Sequence, residues 1–361
     1  MRIKNLKLKN FRNYVNESID FSEGLNVLFG RNAQGKTNCA EAVFYLCTGA
    51  SPRSRRDKQL IMHGANCAEI SALAEGAYGE IEISACIYEN SREVRINGNK
   101  ITRNADILGN IFSVFFSPQE LRLIQDGPDE RRRFLNVSIS QLNKPYYIAL
   151  MRYNKILEQR NNLLKNRDLS LVYETLPVWD EQLCRYAAAI AFKRAEFCAM
   201  LSPVASEIHS YLTDGAEKLE ISPEKKYKGG EEELTKRLFD ELSANYERDI
   251  RLGFTASGPH RDDLDIKIDG ADAKNFASQG QTRTAALSVK LAEVEIFKKI
   301  SGEYPVLILD DVMSELDLPR RKKLVGRTHG LQTVLTCTHA ERVLCGREVN
   351  KIKIEGGAVK R

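Results

Sequence analysis

The segment Gly30-Arg31-Asn32-Ala33-Gln34-Gly35-Lys36-Thr37 has the spacing G-x-x-x-x-G-K-[ST], in which backbone N–H groups cradle phosphate oxygens and one lysine and one hydroxyl complete the site. Chance would place one such match in roughly one chain in a hundred of this size. Lys36 would reach the β and γ phosphates of a nucleotide, the Thr37 hydroxyl would join a Mg²⁺ shell, and Asn38 falls in the same pocket. A glycine turn capping a helix would account for Gly35 but not for the Lys-Thr after it. Such a loop needs a distant acid for the metal. The apolar run Val306-Leu307-Ile308-Leu309 ends in Asp310-Asp311. Asp310 takes the Mg²⁺ role, and Asp311 would aim its carboxylate at the γ-phosphate and orient or deprotonate the attacking water.

These residues need strands and a helix to hold them. Ile3 to Asn10 and Leu25 to Phe29 read as the two strands of the first 30 residues, and an amphipathic helix is expected from Lys36 to about Cys47. Residues 69 to 116 alternate apolar and polar with an Asn97-Gly98 turn, an antiparallel sheet followed by a buried strand, Ile111 to Phe116. Val306 to Leu309 and Thr333 to Thr336 are strands buried on both faces, which implies a parallel sheet, with a basic helix, Pro319 to Gly326, between them. From Pro118 the period lengthens. Trp179, Leu183, Tyr186, Ile190, Lys193, Phe197 and Leu201 alternate spacings of four and three, which fits a helical bundle or a short antiparallel arm. Residues 253 to 270 return to strand and loop chemistry.

Composition bounds the class. The 361 residues exceed what one small core needs, and 42% apolar with 29% charged residues is a globular balance. The net charge of +5 permits a nucleic-acid partner without demanding one. Eight cysteines without a C-x-x-C pair, beside five histidines, predict buried reduced thiols rather than a metal centre. The start, Met1 to Lys7, alternates charged and apolar residues, so no leader is expected, and the cytoplasm is the default.

Three further segments carry a resemblance: Ser278-Gln279-Gly280-Gln281 opening a helix, Ser314-Glu315-Leu316-Asp317 after the acids, and Gly258-Pro259-His260-Arg261-Asp262-Asp263. The first resembles the ABC signature and the second the D-loop. With Lys9-Asn10-Phe11-Arg12-Asn13-Tyr14 near the start, residues 3 to about 340 resemble the RecF family of recombination-mediator and gap-repair proteins, which share their ATPase head with SMC and Rad50 proteins. The resemblance implies an α/β ABC-type ATPase head, residues 1–118 and 252–361, with a mixed sheet and an inserted helical lobe, 119–251, bearing a short antiparallel helical arm. It also implies an ATP-driven homodimer with slow, DNA-stimulated hydrolysis that binds gapped DNA or single-strand/duplex junctions without sequence specificity. RecR is the implied partner, RecO acts nearby, and RecA loading is the outcome.

Residue by residue, the resemblance places Arg12 with the nucleotide ligands and makes Ser278, Gly280 and Gln281 of one subunit the cap on the ATP of the other. A plain N-cap at Ser278 is the alternative. Ala33 stands where this family more often has glycine, at no cost if its φ is negative. Gln119, in Phe116-Ser117-Pro118-Gln119, is the Q-loop position, a contact to Mg²⁺ or water. His339 is the candidate switch residue, with Thr336 or Thr338 as the substitute.

Three basic clusters remain: Arg53, Arg55, Arg56 and Lys58; Arg131-Arg132-Arg133; and Arg320-Arg321-Lys322-Lys323. The first, in a Ser-Pro-Arg-Ser-Arg-Arg segment read as a flexible loop, is the best DNA candidate, while by the resemblance the second begins a helix and is expected to serve lobe packing through Arg132 and Arg133. An ABC transporter ATPase subunit would share the nucleotide motifs but usually has a smaller helical insert, and glutamate where Asp311 stands. A chromosome-organising rod would need arms hundreds of residues long at about 1.5 Å per residue.

Overall fold

The computed structural model describes residues 1–225, 227, 229–340 and 349–360. They divide into two compact units, one of Met1–Leu121, Glu207–Glu217 and Ser278–Arg361, the other of Arg122–Ser206 and Lys218–Ala277.

The first unit holds two six-stranded sheets. One is antiparallel, in the order β2-β1-β4-β5-β6-β7, built from β1 (Arg2–Phe11), β2 (Tyr14–Asp20), β4 (Cys67–Gly76), β5 (Gly79–Tyr88), β6 (Arg92–Ile96) and β7 (Asn99–Lys100). β2 is an addition to the two strands expected before the glycine-rich loop. In β1, Ile3, Leu6 and Leu8 do not share one period-two face. The register slips between Ile3 and Asn5, and this bulge turns all three side chains into the core. Asn97 and Gly98 both have positive φ, 49° and 79°, as a tight hairpin between β6 and β7 requires.

The second sheet runs β15-β14-β3-β13-β12-β8. Its members are β3 (Leu25–Phe29), β8 (Ser113–Phe116), β12 (Val306–Asp310), β13 (Thr333–Cys337), β14 (Asn350–Glu355) and β15 (Ala358–Lys360). All neighbours pair in parallel except β14 with β15. Every residue of β12 and β13 is buried, as continuous apolar runs dictate. Helix α1 (Lys36–Thr48) touches strands of both sheets and is buried without a break from Cys39 to Cys47. It is therefore not the amphipathic helix expected, because sheet covers it on opposite sides. α9 (Gln279–Ser301) and α10 (Leu318–Arg327) complete this unit.

The second unit contains α2 (Arg122–Gln125), α3 (Pro128–Leu142), α4 (Lys144–Leu163), most of α5 (Leu169–Leu212), α6 (Glu231–Ala244), α7 (Tyr246–Leu252) and α8 (Ala273–Phe276). It also has a small antiparallel sheet, β11-β10-β9, of β9 (Leu219–Pro223), β10 (Leu264–Ile268) and β11 (Ala271–Asp272). After the brief passage Glu207–Glu217, the chain makes its final return to the first unit at 277/278 rather than at the 251/252 boundary expected, because β10 pairs with β9 along Leu264–Ile268.

On α5, Leu183, Ile190, Phe197 and Leu201 are buried, while Trp179, Tyr186 and Lys193 are half-buried. Cys184, Ala187, Ala188, Ala191 and Cys198 are buried too. That stripe is wider than a coiled-coil seam and belongs to a bundle. Where α4 passes into α5, Leu164, Val172 and Leu176 form a buried cluster with Tyr246 and Ile250 of α7 packed on it. Arg160 of α4 is fully buried between Asp180 and Asp249, with Nε to Asp180 Oδ1 at 2.5 Å and Nη1 to Asp249 Oδ2 at 2.8 Å. The cysteines are free: Cys39, Cys47, Cys184, Cys198 and Cys337 are buried, and Cys67 and Cys86 are half-buried. Cys345 lies outside the described residues. Among the described residues no helix is long and apolar enough to cross a membrane.

Candidate functional site

β3, β12, β13 and β8 run parallel, so their C-terminal ends share one edge of the sheet. Side chains and loops beyond such ends are where ligands collect in open α/β sheets. From β3 the chain enters the Gly30–Gly35 loop, and α1 begins at Lys36 with Gly35 as its N-cap at φ 117°. The first amides of α1 and the positive end of its dipole therefore face the loop. Lys36 folds back so that Nζ donates to Gly30 O and Arg31 O, both at 2.8 Å. Burial pushes its ammonium below the usual lysine value, while Asp311 and Asp310 oppose the shift. Ala33 has φ +63°, against the negative value that would make it a free substitute for glycine. An L side chain in this region costs about 1 kcal/mol, held here as local strain.

Asp310 closes the site from β12. Its Oδ1 accepts from Thr37 Oγ1 at 2.8 Å and from Thr336 Oγ1 at 2.7 Å. Burial raises its carboxyl above the usual range, and the two hydroxyl donors and Arg53 pull it back. One hydroxyl and one carboxylate beside a phosphate loop fit Mg²⁺, a hard cation that takes few protein oxygens and completes its shell with water and phosphate. The next residue, Asp311, is exposed and left-handed at φ 54°, a conformation aspartate tolerates. Its amide donates to Thr336 Oγ1 at 3.0 Å, and Ser314 Oγ donates to its carbonyl at 2.8 Å. Gln119 is exposed in the turn after β8, the strand beside β12. His339 is also exposed, beyond β13, with Nδ1 2.9 Å from Thr338 Oγ1. Of the three switch candidates, Thr336 is the one in contact with Asp310.

Residues the sequence left without a stated role hold this loop. Tyr14 OH donates to Gly35 O at 3.0 Å, and Asn13 Nδ2 donates to Gln34 O at 3.0 Å. Asn38 joins this set, its Nδ2 donating to Asn13 Oδ1 at 2.8 Å. Arg12 reaches α1, where Nε and Nη2 clasp the fully buried Glu41 at 2.9 and 2.8 Å, and Nη1 donates to Gln59 O at 2.7 Å. Its guanidinium thus secures α1 and the segment after it.

The basic segment after α1 is tied down, contrary to the flexible loop expected. Ser51 Oγ donates to Glu41, and Tyr45 OH and Arg92 Nη1 both donate to Asp57 Oδ2, at 2.9 and 3.0 Å. Arg53 turns toward the nucleotide loop, Nη1 donating to Asn38 Oδ1 at 3.1 Å. Arg55, Arg56 and Lys58 are exposed, and Lys58 pairs loosely with Glu89 at 3.7 Å. In the second cluster Arg131, which the sequence left out of the packing, is buried and packs together with Arg132. Arg131 grips both oxygens of Asp263 at 2.6 and 2.7 Å, and Arg132 donates to Asp262 O at 2.8 Å. In the third, Arg320 pairs with Asp317, Arg321 donates to Leu316 O, and Lys323 pairs with Asp214.

Ser278 caps α9 in a reciprocal capping box: Gln281 N donates to its Oγ at 3.2 Å, and its own N donates to Gln281 Oε1 at 2.9 Å. Ser278 and Gly280 are exposed. The Gly258 to Asp263 segment works inside the second unit. His260 sits 2.5 Å from Tyr153 OH through Nδ1 and donates from Nε2 to Thr255 O at 3.0 Å, and burial lowers it to about 4.

A model of the family described as RecF/RecN/SMC N terminal domain matches residues 2–357. The DNA replication and repair protein RecF of Clostridium acetobutylicum is 40% identical over 363 residues, 99% of this chain and 99% of its own. That of Lachnoclostridium phytofermentans is 41% identical over 365 residues, covering 100% of both. Among solved structures, the recombination mediator protein RecF with ATP, in the RecFOR pathway, has a TM-score of 0.90 at 35% identity over 99% of this chain and 96% of that one. An Smc head bound to the C-winged helix domain of ScpA has a TM-score of 0.59 at 16% identity over 100% of this chain and 96% of that one, a likeness of fold alone.

Proposed function

The chain belongs to the RecF family, within the wider RecF/RecN/SMC group of ATPase heads, and from that premise we propose that it is an ATP-dependent DNA-binding protein of recombinational repair and replication restart. The observation that carries the reading is the hydrogen bond from Thr37 to Asp310, which joins the phosphate loop to the acid of a distant strand. The relatives' names and the ATP-bound relative support it, and they weigh against a transporter subunit.

ATP binds at the Gly30–Gly35 loop, with Lys36 released from the loop carbonyls to the β and γ phosphates. Thr37 and Asp310 would hold Mg²⁺, and Gln119 would contact it or a water. The metal, when bound, neutralises charge on the β- and γ-oxygens. Asp311, free of a buried partner and adjacent to Asp310, orients the attacking water, with His339 or Thr336 at the next strand end as the second polar contact. Ser278, Gly280 and Gln281 cap the γ-phosphate held by a second copy, so ATP closes a homodimer and slow hydrolysis opens it. Arg55, Arg56 and Lys58 meet DNA phosphates, which gives backbone rather than base recognition. DNA stimulation of the ATPase, RecR as partner, RecO and RecA in the same pathway and a cytoplasmic, nucleoid-associated location complete the reading. Binding to gapped and to intact duplex, each with and without ATP, tests it. ATP-dependent retention on gapped DNA is expected, and equal retention without ATP would refute the switch.

A further inference from the structure

The tail beyond residue 340 lies outside every motif read from the sequence, yet part of it touches the phosphate loop. The turn between β14 and β15 is Gly356-Gly357. Gly357 N donates to Gln34 O at 2.9 Å, and Gly356 N donates to Gln34 Oε1 at 2.6 Å. The carbonyl of Gln34 also accepts from Asn13 Nδ2 at 3.0 Å. Space is closed on both sides: a Cβ on Gly357, at φ +76°, would lie 2.1 Å from Asn13 O, and one on Gly30 would lie 2.3 Å from Ile354 O. The loop is thus held between the β1–β2 turn and the β14–β15 turn.

Gly30, Ala33 and Gly35 all have positive φ, 149°, 63° and 117°. Such a run persists only where the surroundings over-determine it, and a phosphate nest binds well only if its amides are aimed before the anion arrives. Gln34 is the residue between two of these, and both its backbone and side-chain oxygens are fixed by the hairpin turn. We propose that the C-terminal β14–β15 turn, through Gly356, Gly357 and Gln34, is a positioning clamp that keeps the phosphate loop in its receptor form and so sets the affinity for ATP. The proposal rests on the ATP-site reading above.

The test is titration of the full chain with ATP and Mg²⁺, alongside its melting temperature without nucleotide. Gly357→Ala should weaken ATP binding tenfold or more, by loss of both hydrogen bonds and of the loop's fit, and Gln34→Ala about three- to tenfold, chiefly through the bond from Gly356 N, the side chain's other bond, Nε2 to Asn32 O, being long at 3.4 Å. Ile352→Ala, a buried change on β14 away from the turn, should lower the melting temperature at least as much as Gln34→Ala while leaving ATP affinity unchanged. If Gly357→Ala does not fold, Gln34→Ala against Ile352→Ala decides. Wild-type affinity in both Gln34→Ala and a folded Gly357→Ala, in a chain that binds ATP and loses it on Lys36→Ala, overturns the clamp alone. A wild-type chain that binds no ATP overturns the site and the clamp together.

Discussion

Thr37 Oγ1 and Asp310 Oδ1 lie 2.8 Å apart although 273 positions separate them in the chain. The contact requires β3 and β12 to flank β13 in register and to end at the same edge. It also sets two demands against each other, since the carboxylate that would hold a metal is buried, and burial disfavours its charge.

Asp310→Asn should therefore separate stability from function. The native carboxyl is raised above its unfolded value of 3.8, so the native state holds its proton more tightly and ionisation costs stability. That cost is absent below the unfolded value and fully present above the raised native one. Without nucleotide, Asp310→Asn should melt at a higher temperature than wild type at pH 7, with the gap closing as the pH falls toward 4, while its ATP hydrolysis is lost. Thermal melts across that range check the sign.

Arg53 and its neighbours should part company. All three arginines are exposed, but Arg53 donates to Asn38 and bears on Asp310, whereas Arg55 and Arg56 do neither. Arg55→Ala with Arg56→Ala should flatten the salt dependence of DNA binding by about two units of slope with ATP affinity intact. Arg53→Ala should weaken ATP binding and leave that slope in place. Salt titrations and nucleotide titrations on the same two proteins are sufficient.

Arg160→Met should destabilise the chain by about 3–5 kcal/mol, because it strands Asp180 and Asp249, both fully buried, without their cation. Adding Asp180→Leu and Asp249→Leu should return much of that loss. Urea unfolding of the single and triple variants gives the comparison.

The phosphate loop, Asp310 and the parallel core were legible because their signals are local: fixed spacing, continuous apolar runs and acids at a strand end. What the sequence hid depends on distant partners. Helix α1 carries no amphipathic contrast because both of its sides are covered. The 277/278 boundary depends on β9, five residues in a helical stretch whose partner, β10, lies some 40 residues later. Ala33 reads as benign until its φ is seen, and Asn13 reads as part of a motif without a task until Gln34 lies beside it. The Ser278 segment supports two roles: its capping box is complete within one chain, and its exposed Ser278 and Gly280 are what a second copy would need.

Sedimentation of wild type and Ser278→Arg with ATP and Mg²⁺ tests the ATP-closed dimer most directly. A cap alone contributes about 1 kcal/mol of stability and has no bearing on association. Wild type should dimerise with ATP, and Ser278→Arg should bind ATP but stay monomeric, because a bulky cation would occupy the place of the partner's γ-phosphate. A Ser278→Arg protein that dimerises with ATP as wild type does would contradict the shared-site mechanism.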